Sequence, residues 1–220
     1  MPKRLVRTFG LMIQMLLAVA GLMAAGLLSP GPNFVLISGR AMSSGTGPAV
    51  ATACGVSIGS LTHALLGVAG FGALLQSSMS LFTIAKLLGA AYLLWTGFKS
   101  VRGAVRSIGR SGVGPAPDRD HRPVGMRRSV VDGYLTQMSN PKSTLFFLAM
   151  FTSVVPSDVT VWQATTVIAT VGVVAFGGYI LIAAVLSRPV FQSAYRRAGA
   201  ALDAMVGLAM MALGIRVAAT

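Results

Sequence analysis

The sequence is poor in charged side chains, and above all in acidic ones. Only 10% of its 220 residues are charged, and the five acids, all aspartate, stand against 18 lysines and arginines. Because a soluble domain carries about 25% charged residues, a soluble globular protein is excluded. The single cysteine excludes a disulfide scaffold. With two histidines, no glutamate and no P-loop of the GxxxxGK type, the sequence predicts no metal site, no cofactor, no built-in ATPase and no enzyme.

Apolar residues are abundant instead. They make up 54% of the chain, and the mean hydropathy is +0.74. One globular core cannot hide this many apolar side chains, whereas a bilayer can. In a soluble protein the net charge of +13 would suggest nucleic acid, but here the bases lie mostly between apolar blocks, as in cytoplasmic loops of membrane proteins. The sequence therefore predicts an all-α integral membrane protein whose partner is membrane lipid rather than nucleic acid.

Six apolar blocks are long enough to cross a bilayer core, which needs about 20 helical residues. The first block continues after a break to Ile37. An odd number of spans in each half would invert the second half relative to the first. We therefore expect one membrane domain over 1–220, with three spans in 9–101, a basic linker over 102–129 and three inverted spans in 130–220. The predicted spans are Phe9–Leu28, Ala49–Leu75, Met79–Val101, Val130–Val155, Val161–Leu186 and Ala200–Val217.

The distribution of bases predicts the topology. The loops after spans one, three and five carry the bases, and those after spans two and four carry none. The positive-inside rule then places the linker 102–129 in the cytoplasm and both termini outside. Three N-terminal bases, Lys3, Arg4 and Arg7, argue for the opposite orientation. The stretch after them is long for a signal peptide and has no clear small-x-small cleavage site, so we interpret it as the first span.

The first span of each half contains a helix-breaking segment. Proline removes a backbone donor and clashes with the preceding turn, and Asn140 before Pro141 is a good N-cap for a new helix. Such a helix start attracts anions such as a carboxylate, although a structural kink alone would show the same sequence. The predicted substrate-binding residues are those of the two breaks: Ser29, Pro30, Gly31, Pro32, Asn33, Ser139, Asn140, Pro141 and Lys142.

Four ionisable residues inside or near the spans are further candidates. Lys142 lies at mid-span depth, where a charge is costly and typical of a functional site. Lys86 either snorkels to the interface or shares in anion attraction. Asp132 either carries a proton or acts in gating, or it caps its helix. His63 either couples to protons or bonds a neighbouring helix.

Glycines recur along single helix faces. Small residues at such spacing allow helices to approach closely, and they permit a homo-oligomer without demanding one. The residues that we assign to helix packing are Gly55, Gly59, Gly67, Gly89 and Gly97.

Four ordered blocks resemble the LysE/RhtB amino-acid exporter family: PGPNF at 30–34, the glycines Gly55 and Gly59, KLLGAAYLLWTGFKSVR at 86–102, and DGYLTQMSNPKSTLFF at 132–147. The resemblance covers nearly the whole chain. It implies an inner-membrane secondary transporter that exports amino acids from the cytoplasm, driven by the proton gradient, without ATP or cofactor. The scarcity of intramembrane acids favours a neutral substrate of the threonine, homoserine or leucine type.

Two alternatives from other classes stay open at this point. A metal-ion or other small-solute transporter would need inward carboxylates or thiols, of which the chain has few. A membrane-embedded enzyme acting on lipid head groups would need a polar cluster, and only Asp118, Asp120 and His121 with nearby arginines are dense enough. They lie in a segment rich in proline and glycine, which is unfit to hold catalytic geometry.

Overall fold

A computed structural model describes residues 2–28, 31–77, 79–107, 124–155 and 159–219, and the regular structure in these ranges is helical. Eight helices follow one another in the described residues. Their bounds are α1 Pro2–Leu28, α2 Pro32–Ser43, α3 Thr46–Ser77, α4 Met79–Ser107, α5 Met126–Ser139, α6 Pro141–Val154, α7 Val161–Leu186 and α8 Pro189–Ala219.

Four segments in the described residues are long and apolar enough to cross a bilayer. They are Gly10–Leu27 of α1, Thr46–Gly70 of α3, Val161–Leu186 of α7 and Gly199–Ala219 of α8. The prediction of an all-α membrane protein is thus confirmed. The helices number eight rather than six because α1 and α2 lie on either side of one predicted break, and α5 and α6 on either side of the other.

Several predicted boundaries differ from the structure. α4 continues to Ser107, beyond the predicted span end at Val101, and α8 begins at Pro189 rather than Ala200. Basic residues in the last turn, such as Arg106 of α4, complement the helix dipole and allow a helix to run on past its apolar block. The predicted linker 102–129 is therefore helical at both ends, and its middle, 108–123, lies outside the described residues.

The second break is built from local capping chemistry. Asn140 is extended, with φ −80° and ψ 106°, and its side chain accepts a hydrogen bond from the backbone N–H of Lys142 at 3.0 Å. Pro141 follows as the first residue of α6, where its missing N–H costs nothing. At the first break Gly31 is extended in the same way before Pro32. Both helix starts are therefore sharp.

Close glycine contacts join the long helices in pairs. A Cβ atom added at Gly55 of α3 would overlap the carbonyl oxygen of Val130 of α5, and one added at Gly133 would overlap that of Thr52. The other predicted packing glycines also lie at helix contacts: Gly59 faces Gln137, Gly67 faces Phe151, Gly89 faces Ala149 and Gly97 faces Gly207. These contacts bring α5 and α6 against α3, and α4 against α8. A cavity is left between the two breaks.

Candidate functional site

The central cavity lies where the two helix breaks meet α3, α7 and α8. Its volume is about 40 Å³, and by the same measure one water needs about 10–15 Å³. It therefore has room for only a few waters, and its walls must separate to admit anything larger. Its lining is Met23, Gly26, Leu27, Gly31, Asn33, Phe34, Ser60, Gln137, Asn140, Lys142, Ser143, Phe146, Phe147, Tyr179 and Met210.

Five buried or nearly buried polar side chains form one hydrogen-bonded group in this lining, which we call the polar cluster. Asn33 of α2 donates to Gln137 Oε1 of α5 at 2.5 Å. Its amide nitrogen also lies 3.5 Å from Ser143 Oγ and 3.4 Å from Tyr179 Oη. Ser143 donates to Gln137 Oε1 at 3.0 Å, and Gln137 Nε2 donates to Ser60 Oγ at 3.0 Å. The cluster therefore ties helices from before and after the linker to one another.

One hydrogen-bond acceptor of the polar cluster has no donor among the described residues. The Oδ1 atom of Asn33 is buried and has no hydrogen-bond partner among the described residues. An unsatisfied buried acceptor costs about 1–3 kcal/mol. A donor that enters the cavity recovers that cost, so the site favours ligands with N–H or O–H groups.

Lys142 supplies the positive charge of the cavity wall. It occupies the first turn of α6, is partly buried, and lies near enough to Asp203 of α8 for the two charges to interact. The Oδ1 atom of Asp203 is buried and, among the described residues, has no hydrogen-bond partner. Asp203 is not among the residues predicted from the sequence. An acid within the last apolar block is nevertheless the kind of intramembrane charge that marks a functional site.

The predicted break residues divide into three groups. Gly31, Asn33, Asn140 and Lys142 line the central cavity. Ser29 and Pro30 lie outside the described residues. Pro32, Ser139 and Pro141 are exposed and are not in the lining, and the Ser139 hydroxyl is used within α5, where it donates to the carbonyl of Leu135 at 2.7 Å.

The three other ionisable candidates lie away from the cavity. His63 is buried behind Phe147, on which its ring stacks at 5.3 Å between centroids. Its ring nitrogens contact the Gly59 carbonyl at 3.0 Å and Thr144 Oγ1 at 3.1 Å, so it joins α3 to α6. Asp132 forms an ion pair with Arg40. Lys86 is half-buried on α4 and does not appear among the lining residues.

The comparison with protein families decides the class. A family model described as "LysE type translocator" matches residues 24–220. The chain belongs to the LysE type translocator family. The predicted resemblance is confirmed, and the protein is a transporter rather than the head-group enzyme considered above.

Several curated relatives of this translocator have names that state which amino acid they transport. The "Threonine efflux protein" of Escherichia coli (strain K12) is 27% identical over 204 residues, which cover 93% of this chain and 97% of that protein. The protein of the same name from Salmonella typhi is 26% identical over 204 residues, with the same coverage. The "Leucine efflux protein" of Enterobacter sp. (strain 638) is 32% identical over 125 residues, covering 57% of this chain and 56% of that protein. No solved structure matches the chain.

Proposed function

We propose that this translocator exports neutral amino acids of the threonine, homoserine or leucine type across the bacterial inner membrane. The observation that carries the proposal is the wall of the central cavity, where Lys142 lies in the first turn of α6. The threonine and leucine efflux proteins among the relatives support the substrate class. A cavity with one cation, one nearby acid and several neutral hydrogen-bonding groups is complementary to a zwitterion without a charged side chain.

The carboxylate of the substrate binds at the start of α6. The positive end of the helix dipole, its free N–H groups and the Lys142 ammonium all attract an anion there. The same dipole opposes Lys142 itself, and Asp203 offsets that repulsion when no substrate is bound. An arriving carboxylate takes over this role.

The ammonium group of the substrate binds at the polar cluster. The leftover Oδ1 acceptor of Asn33 and the hydroxyls of Ser143 and Tyr179 converge on the cavity. A threonine or homoserine hydroxyl can use the same groups. Asn140 is occupied with capping α6 and therefore acts by fixing the position of Lys142.

Transport proceeds by alternating access between two inverted repeats of three spans each. In this scheme α1–α4 form the first repeat and α5–α8 the second, and each opens with an interrupted span, as in other transporters built from inverted repeats. The Arg40–Asp132 ion pair supports a gating role for Asp132, because it joins the broken span of one repeat to that of the other. This ion pair closes the end of the molecule next to the linker.

Coupling to the proton gradient is the remaining part of the proposal. His63 is the favoured carrier because it is buried and both of its ring nitrogens have partners, one of them the Thr144 hydroxyl. A hydroxyl can donate or accept, so Thr144 can serve either protonation state of the ring. Asp132 and Lys86 are the other titratable candidates.

An efflux assay tests the function directly. Host cells that lack their own exporters are loaded with dipeptides, one amino acid at a time, and free amino acid is followed outside the cells. We expect the protein to accelerate efflux of one or a few neutral amino acids, and collapse of the proton gradient to remove the acceleration. No acceleration for any of the twenty amino acids, with the protein shown to be in the membrane, would overturn the proposal.

A further inference from the structure

A second cavity lies between α1, α6, α7 and α8, and the function proposed above does not use it. Its volume is about 570 Å³, within the range of about 300–1,000 Å³ that is usual for small-molecule sites. Side chains of α1 form one wall, four of them apolar and one, Gln14, polar. The other wall has Val154 and four polar side chains: Ser153, Thr160, Gln163 and Arg216. Unlike the central cavity, it is large enough for an amino acid.

The register of the four shared helices, α1, α6, α7 and α8, places this cavity beyond the central one on a common axis. On α6 the lining passes from Phe147 to Ser153, and on α8 from Met210 to Arg216. Six residues of helix span about 9 Å. On α1 the order is reversed, from Met23 to Ala18, as expected if α1 is antiparallel to the other two. On α7 the order is also reversed, from Tyr179 to Gln163, so the four helices agree on the direction.

The Arg40–Asp132 ion pair lies on the opposite side of the central cavity. Asp132 precedes the cavity-lining Gln137 on α5, whereas Ser153 follows the cavity on α6. The side chains of the pair are 14% and 30% exposed, so this end is held shut. The axis therefore has one closed end, a small central cavity and one wide end.

We propose that the second cavity is the outer vestibule through which the amino acid leaves, and that Arg216 binds the substrate carboxylate there. This inference rests on the proposed export function. Arg216 is in the last turn of α8, where the negative end of the helix dipole stabilises a cation. A guanidinium has five N–H donors, so Arg216 can keep a contact within the protein and still bind a carboxylate. Ser153, at the level of Arg216, follows Lys142 by eleven residues of α6, or about 16 Å. A second cation this far beyond Lys142 draws the released anion outward.

Cysteine labelling in intact cells tests the vestibule. Cys54 is the only native cysteine, so Cys54→Ser gives a background without thiols. In that background Ser153→Cys reports on the vestibule, and Ser43→Cys, exposed at the closed end, is the matched control. A membrane-impermeant thiol reagent added outside should modify Ser153→Cys much faster than Ser43→Cys. An external amino acid that the wild-type protein exports should slow this modification.

Variants of Arg216 test the carboxylate contact. We expect Arg216→Gln to raise the external amino-acid concentration needed for half-maximal protection of Ser153→Cys about tenfold, equivalent to about 1.4 kcal/mol. Arg216→Lys should keep most of the protection. Arg188→Gln, which changes an exposed arginine just before the start of α8, should leave it unchanged.

The outcomes separate this inference from the proposed function. Efflux of the same amino acid is measured in the same cells. Normal efflux with no labelling of Ser153→Cys, or with labelling that the amino acid does not slow, overturns the vestibule and leaves the export function standing. Protection that is equal in Arg216→Gln and wild type overturns the role of Arg216. If the wild-type protein accelerates efflux of no amino acid, the export function itself is overturned.

Discussion

At the scale of single residues, Lys142 combines two unfavourable conditions. It is partly buried, in the middle of the span predicted over 130–155, and it lies in the first turn of α6, where the helix dipole repels a cation. A lysine at the centre of a membrane helix costs about 2.5–3.5 kcal/mol on insertion scales. Asp203 offsets part of that cost, but an apolar pair would avoid it altogether. This cost supports the proposal that Lys142 binds the substrate.

The first prediction concerns Lys142→Ala. Export should be abolished while membrane insertion stays intact, because the carboxylate loses its cation and the fold loses no core side chain. Efflux from dipeptide-loaded cells measures the first effect, and immunoblotting of isolated membranes measures the second. Lys99→Ala, which removes an exposed lysine beside Trp95, is the matched control and should export normally.

Lys142→Ala also leaves the Asp203 carboxylate without the neighbouring ammonium group. A second variant therefore separates the loss of substrate binding from the loss of charge balance. Asp203→Asn added to Lys142→Ala removes the uncompensated charge without restoring an amine. If the double variant regains export, Lys142 acts only by balancing Asp203, and its assignment to substrate is wrong. Wild-type export by a well-expressed Lys142→Ala would be equally decisive against it.

The sequence reveals some of the site residues and hides others, for a physical reason. Asn33, Asn140 and Lys142 were predictable because helix breaks and intramembrane charges are local signals. Gln137 was not singled out, since its role depends on α2, α3 and α6 all reaching it. A glutamine one turn before a break has no local feature that distinguishes it from a solvated side chain.

At the scale of helices, α2 and α5 are joined at two levels. Asn33 pairs with Gln137 beside the cavity, and Arg40 pairs with Asp132 farther out. Because the residue number rises along α2 as it falls along α5, the two helices are paired antiparallel. Separating these helices breaks both contacts, and we propose that this separation opens the closed end.

The second prediction is a charge swap across this helix pair. Arg40→Asp and Asp132→Arg alone should each lower efflux severalfold, because like charges then face one another and hold the end open. The double variant restores opposite charges and should recover most of the efflux. Arg128 lies 3.9 Å from Asp132 but is exposed, so Arg128→Gln serves as the control with little effect. No recovery in the double variant would contradict the gate.

The third prediction concerns the glycine contact between α3 and α5. Gly55→Ala places a methyl group against the backbone of Val130, and a backbone contact cannot relax as a flexible side chain can. Overpacking of this kind costs about 1–3 kcal/mol. The temperature at which the purified protein loses its monodisperse gel-filtration peak in detergent should therefore fall.

Gly70→Ala on the same helix is the matched control for that measurement. A Cβ atom added at Gly70 meets nothing within 4 Å, and alanine is the better helix former by about 1 kcal/mol. Its melting temperature should be unchanged or higher. Equal melting temperatures for the two variants would show that α3 and α5 can separate without loss of stability.

Helix boundaries follow from local chemistry, whereas helix partners do not. Proline, asparagine and glycine predicted both breaks, and they are present in the structure. The turn between α2 and α3 depends on Gly45, whose φ of +84° suits glycine alone. By contrast, a face of small residues predicts only that some helix approaches. That α5 rather than another helix packs on Gly55 depends on the whole assembly.

At the scale of the whole molecule, the net charge of +13 is spread unevenly along the chain. Bases concentrate around the linker and between Arg188 and Arg197 at the start of α8, whereas the turn between α6 and α7 has none. The linker end is also the end that, in our proposal, the Arg40–Asp132 pair closes, and the wide cavity is at the other end. With the positive-inside rule, these observations support the proposal that this conformation is closed to the cytoplasm and open to the outside.

The fourth prediction is that the linker and the C-terminal end of α8 lie on opposite sides of the membrane. Three spans separate them in the proposed repeat, counting α5 and α6 as one interrupted span, and an odd number of crossings reverses the side. A green fluorescent protein inserted after Gly112 should fluoresce, because it folds in the cytoplasm. Alkaline phosphatase fused after Ala219 should be active, because it folds outside.

Exchanging the two reporters provides the control, since each should then be inactive. If both positions report the same side, the second half crosses an even number of times, and the inverted repeat is wrong whatever the export assay shows. If the two sides are opposite but reversed, the bases Lys3, Arg4 and Arg7 dominate the orientation instead of the linker. The wide cavity would then face the cytoplasm as an entry vestibule, and Arg216 would meet the amino acid before Lys142 does.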